Sequence, residues 1–126
     1  MPAPVIVVHD EPATRELAVD TLCAAGLQAI GIDDPMKALA AIETDTRMRV
    51  LVTRVDFGPG RLNGTALARM LRYKRQAFRT VFVALPENRM HAETDGEFIP
   101  MPLNAPILVE TVARLLTASH SGASGA

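Results

Sequence analysis

Two hydrophobic rhythms alternate along this chain. Apolar-rich runs fall at residues 4–9 (Pro-Val-Ile-Val-Val-His), 27–32, 48–53 and 80–85, with a shorter one at 98–100. Runs of this length, rich in Val and Ile, fit strands buried on both faces. Between them apolar residues recur every three or four positions, the spacing of a helix with one buried side. The first predicted helix runs from Pro12 to Gly26, which ends it as a cap, with Leu17, Thr21 or Leu22, and Ala24 or Ala25 facing inward. A second starts at Asp33 or Asp34 with Pro35 in its first turn, and buries Met36, Leu39, Ala40 and Ile42 or Glu43. Asn63 caps a third over 64–76, with Leu67, Met70, Leu71 and Lys74 on one side and Arg69, Arg72 and Arg75 on another. Asn104 caps the last, to about Thr117, with Ile107, Leu108, Val112, Leu115 and Leu116 inward. Residues 86–97 are polar and lack an apolar stripe, so they read as a loop with at most one helical turn.

Five strand–helix alternations with short connections imply a parallel sheet with helices on both faces. The pattern alone leaves the strand order open. The chain has 126 residues and is 48% hydrophobic, enough for one folded domain, which we place at residues 1–118. Residues 119–126 are small and polar and read as a flexible C-terminal tail. No apolar run approaches the roughly 18 residues of a membrane span. Pro-Ala-Pro after Met1 does not read as a secretory signal, so the expected address is the cytoplasm. Cys23 is the single cysteine and is expected to be buried and inert.

The net charge of −1 hides a strong asymmetry. Residues 1–46 carry −6, residues 47–79 carry +8, and residues 80–126 carry −3. The basic block could favour an acidic partner. Aromatics are few and no nucleic-acid-binding motif is present, so nucleic acid is an unlikely partner on this reading.

Chemistry in such a sheet is usually placed at the carboxyl ends of the central strands. Here the third strand ends in Val-Thr-Arg-Val-Asp-Phe-Gly-Pro-Gly-Arg-Leu-Asn-Gly, which presents Arg54 at that point. That segment resembles the surroundings of the phosphoacceptor in response-regulator receiver domains. Val-Ile-Val-Val-His-Asp-Glu-Pro resembles the opening of the same family, and Phe-Ile-Pro-Met-Pro-Leu resembles its fifth-strand segment. The resemblance covers residues 4–117. It implies the flavodoxin-like (βα)5 fold, a three-layer α/β sandwich with strand order 2-1-3-4-5. The helix between strands four and five is expected to be shortened or missing.

The resemblance also implies positions for receiver chemistry. A nucleophilic aspartate ends the third strand, an acid pair binds magnesium, and a hydroxyl and a lysine contact the phosphoryl oxygens. In this sequence the nucleophile position holds Arg54. The acid pair is His9 and Asp10, with Glu11 and Asp56 completing the former acidic pocket. The hydroxyl position holds Leu85 and the lysine position Met101, followed by the family's proline, Pro102. Phe98 takes the aromatic switch position. Arginine stays cationic and cannot be this nucleophile. Leu85 lacks a hydroxyl and Met101 lacks a charge, so both are expected to fill the emptied pocket. The chain therefore resembles a pseudo-receiver, with no catalytic residue, no cofactor and no magnesium.

Three functions compete. The first is a phosphorylation-independent signalling module that binds a kinase, regulator or output protein, or a second copy of itself. The second is a working phosphoacceptor that uses Asp10 or Asp56. The third, a small-molecule-binding domain or enzyme, finds no phosphate loop or catalytic triad. Arg54 is expected beside Asp10, which a guanidinium can hold in bidentate fashion, with Glu11 or Asp56 as further partners. Partner contact is expected at residues 86–103 and the last helix, where a shortened cover would leave apolar strand surface less shielded.

Overall fold

A computed structural model describes the backbone of residues 4–125 and the side chains of residues 4–117. Strands β1 (Val5–Val8), β2 (Ala29–Ile32), β3 (Val50–Thr53), β4 (Arg79–Ala84) and β5 (Glu97–Pro100) form one parallel sheet. Its order is β2-β1-β3-β4-β5, the flavodoxin-like order. The helices are α1 (Pro12–Ala24), α2 (Pro35–Thr44), α3 (Gly64–Lys74), α4 (Arg89–Ala92) and α5 (Ala105–Gly125). α5 runs past Thr117, where the apolar spacing alone would end it.

The unbroken apolar strands have the expected cause. Val5 and Val7 of β1 face the side covered by α1 and α5, in a cluster with Ala18, Leu22, Leu108, Val112 and Leu115. Ile6 and Val8 face the other side and pack with Ala38, Leu39, Ile42, Leu67 and Leu71 of α2 and α3. Since successive strand residues point to opposite faces, a strand covered twice must be apolar throughout.

Helix capping follows the sequence. Asp34 accepts the Met36 and Lys37 N–H groups at 3.0 and 3.2 Å, Asn63 accepts that of Ala66 at 2.8 Å, and Asn104 that of Ile107 at 3.1 Å. The inward faces differ by a step. In α1 the buried residues are Ala18 and Leu22, while Leu17 is 53% exposed. Met36 and Ala40 of α2 are exposed, and Ala38 is buried instead. Met70 and Lys74 of α3 are exposed and Ala68 is buried, while Ile107 of α5 is exposed. Cys23 is exposed, not buried. One residue turns the helix by about 100°, so the neighbour of inward-facing Leu22 is carried off the buried stripe.

Between β4 and β5 lie a 3-10 turn at Pro86–Asn88 and the single turn of α4. The cover is short, as expected, yet β4 is not left open: Thr80 to Ala84 are all buried. The small side chains Ala68 and Ala92 pack closely on Phe82 and Ala84, with half-buried Phe98 against them. The Arg89 guanidinium lies 4.8 Å from the Phe98 ring centre and covers it.

Candidate functional site at the carboxyl edge of the sheet

The site forms where β1, β3 and β4 end. β1 stops at Val8 and the chain turns through His9, Asp10 and Glu11 into α1. β3 stops at Thr53, directly before Arg54. Gly64, at the start of α3, sits against the Arg54 carbonyl: a Cβ there would come within 2.0 Å of that oxygen. Its N–H donates to the Val55 carbonyl at 2.8 Å. Only glycine lets α3 begin this close, and the approach fixes the backbone that aims Arg54.

Arg54 Nη1 donates to Asp10 Oδ1 at 2.8 Å. The two residues are 44 positions apart in sequence. The expected pairing is therefore present, but through one bond and not two. The further carboxylates are engaged elsewhere. Glu11 accepts the Thr14 hydroxyl, and Asp56 accepts the Gly58 N–H at 2.8 Å.

Arg61, which the sequence did not single out, supplies the second cation. Its Nη1 lies 3.6 Å from Asp10 Oδ2, and its Nη2 donates to Asp34 Oδ1 at 2.9 Å. The buried Phe57 ring carries both guanidiniums, with Arg54 at 6.0 Å and Arg61 at 5.6 Å from its centre. Burial alone would raise the Asp10 carboxyl, but the hydrogen bond and charge of Arg54 outweigh it and hold the group below its usual range. The Arg61 hydrogen bond, opposed by burial, does the same for Asp34.

His9 is half-buried, and its Nδ1 accepts the Glu11 N–H at 3.0 Å. That nitrogen therefore presents a lone pair, and its 3.6 Å approach to Asp10 is not an ion pair. Burial first, then the Arg54 charge, lowers the imidazole below its ordinary value, against the opposing pull of Asp10 and Glu11. The His9 carbonyl accepts Arg15 Nη1 at 2.8 Å.

A cleft of about 220 Å³ opens beside Arg54, lined also by His9, Thr14, Asp56, Leu85, Asn88 and Met101 among others. Met101 is half-buried and packs on the core cluster, as a filler would. Leu85 is 55% exposed and lines the cleft mouth, so it does not fill the pocket. It lies one residue beyond the end of β4, outside the helix cover. Ala84, the last residue of β4, lines the cleft too, so neither side chain at that strand end offers a hydroxyl. The Met101–Pro102 peptide is cis. Among the described residues, no group of three or more His, Cys, Asp or Glu side chains is placed to hold a metal ion.

The basic block is mostly consumed inside the chain. Arg47, Arg54, Arg61, Arg69 and Lys74 pair with carboxylates. Arg75 and Arg79 donate to backbone carbonyls. The supposed basic face of Arg69, Arg72 and Arg75 is thus reduced to Arg72.

The fold is the flavodoxin-like one of solved response-regulator receiver domains. NtrX from Brucella abortus, crystallised in complex with ADP, superposes with a TM-score of 0.87 at 26% identity, covering 98% of this chain. This chain spans 29% of that protein's length. The isolated receiver domain of Brucella abortus NtrX gives a TM-score of 0.81 at 26% identity, covering 90% of this chain and 98% of that one. The receiver domain from the hybrid histidine kinase CckA gives 0.73 at 26% identity, covering 89% and 97%. No protein-family model and no curated protein matches the sequence. No described helix is long and apolar enough to cross a membrane.

Proposed function

We propose that this chain is a phosphorylation-independent receiver-like module of a two-component or phosphorelay pathway. It acts by protein–protein contact and is not an enzyme. The carrying observation is Arg54, which stands at the nucleophile position and donates to Asp10. A guanidinium has no electron pair to offer a phosphoryl group, and its charge repels a second cation. A hard divalent ion needs several unencumbered oxygens. Here one carboxylate remains of the pair, and both of its oxygens face guanidiniums. The reading therefore includes no magnesium and no other cofactor. Asp56, the alternative acceptor, lies two residues past Arg54, and its Oδ1 accepts the Gly58 N–H.

The receiver likenesses support a signalling partner, which is a kinase, a regulator or an output protein, with a second copy as the other choice. They also support a cytoplasmic setting. The proposed contact face joins the turn around α4 to the outer side of α5, where Met90 is 86%, Leu85 55% and Ile107 47% exposed. Nucleic acid is not part of the reading, because most of the basic block is already paired. Phe98 is packed and covered by Arg89, and Leu85, at the position through which a hydroxyl would report a phosphoryl group, carries none.

Incubation with acetyl phosphate and magnesium, followed by intact mass measurement, tests this directly. No added phosphoryl group is expected. An acid-labile phosphoryl group mapped to Asp10 or Asp56 overturns the proposal in favour of an unusual phosphoacceptor.

A further inference from the structure

Arg54 alone accounts for one oxygen of Asp10. The other oxygen, Oδ2, faces Arg61 at 3.6 Å. Arg61 is not a loose surface arginine. Its Nη2 donates to Asp34 Oδ1 at 2.9 Å and to the Asp33 carbonyl at 3.3 Å. Asp34 is itself fixed, because its Oδ2 accepts the first free N–H groups of α2. The loop that carries Arg61 is fixed as well. Phe57 anchors it in the core at 5% exposure, and Gly58 and Gly60 turn it at φ of 104° and 78°. The guanidinium is thus held over Asp10 by α2 and by the β3–α3 loop, independently of residue 54.

We infer that Arg61 is a second, independent lock on the acidic pocket, so that restoring an acid at position 54 does not by itself reopen the pocket to a divalent cation. The inference rests on the proposed reading of this pocket as closed by the chain's own cations, and extends it to a residue outside the receiver motifs. The physical reason is charge placement. Arg54→Asp removes one cation and adds one carboxylate, but leaves a fixed guanidinium on the oxygen that a metal would need. A cation at that carboxylate must then compete with Arg61 at close range, which opposes binding. Removing Arg61 as well frees both Asp10 oxygens, while Asp34 retains its role at the start of α2.

The test compares the full chain, Arg54→Asp, Arg61→Gln and Arg54→Asp/Arg61→Gln for binding of Mn²⁺ by water-proton relaxation and of Mg²⁺ by calorimetry. Circular dichroism checks the fold of each variant. The double variant is expected to bind either ion at least about tenfold more tightly than Arg54→Asp, and adding Asp10→Asn to it abolishes that gain. Equal affinity of Arg54→Asp and the double variant, within about twofold, overturns the inference. If Arg54→Asp does not fold, Arg54→Asn with and without Arg61→Gln makes the same comparison with the same outcomes. Failure here leaves the proposed function standing, because that depends on the acetyl phosphate measurement of the unaltered chain. Phosphoryl transfer to the unaltered chain would instead remove the premise of both.

Discussion

Arg54 and Arg75 belong to the same basic block, yet they work at opposite ends of the sheet in different ways. Arg75 follows α3 at the amino edge. Its guanidinium donates to the carbonyls of Ile42, Asp45 and Met48, at the end of α2 and in the connection to β3. It satisfies carbonyls that a helix end leaves free, and its charge complements the negative end of the α2 dipole. Arg54 stands at the carboxyl edge and meets a carboxylate, with 38% of its side chain exposed. One arginine closes the architecture. The other meets a carboxylate from a different loop, at the carboxyl ends of β1 and β3. The lesson is that a charge block in a sequence states a quantity of charge, and only the acceptor each cation meets states its use.

The largest effect that would sharpen this contrast is expected at Arg75. Arg75→Ala removes all three bonds, with the Asp45 carbonyl keeping the Met48 N–H, and should lower the free energy of unfolding by about 2 kcal/mol. Urea titration at constant slope measures it, with Arg72→Ala, at an exposed residue, as a near-neutral control. A loss no greater than that control would break the comparison, since Arg75 would then be a surface residue too.

A smaller loss is expected at Arg54. Both members of the Arg54–Asp10 pair are about one third exposed, so solvent screens them. A double-mutant cycle of Arg54→Met and Asp10→Asn should give a coupling of about 1 kcal/mol. A coupling several times larger would place the pair with buried ion pairs, and make Arg54 as structural as Arg75.

The smallest effect is in the pH dependence. His9 is lowered in the fold, so the unfolded chain takes up its proton first as the pH falls. Its contribution to stability is full above about 6.5 and is lost as the pH drops through its lower folded value. Asp10 and Asp34 are also lowered, and their contributions vanish only below about 3.8. Stability should therefore fall on acidification in two steps. His9→Gln should remove the upper step and leave the lower one. Loss of the lower step in that variant would contradict the assignment.

Much of this protein was legible in the sequence. Apolar-rich runs identified all five strands, most clearly β1 and β3, which are buried on both faces and so have no polar side. Capping residues located the starts of α2, α3 and α5, because their side chains act within one helical turn. The motif order placed Arg54 opposite Asp10. What the sequence left open was of two kinds. The first is the roll of each helix on the sheet, which chose Ala18 over Leu17 and turned Cys23 outward. Periodicity defines an apolar stripe only to within a residue, and the packing of neighbours settles the rest. The second kind is long-range pairing. Arg61 meets Asp10 and Asp34 because three loops end at one edge of the sheet, and Arg75 reaches α2 across the opposite edge. No local pattern encodes those distances. They exist only once parallel strand order has brought separate loops to the same edge.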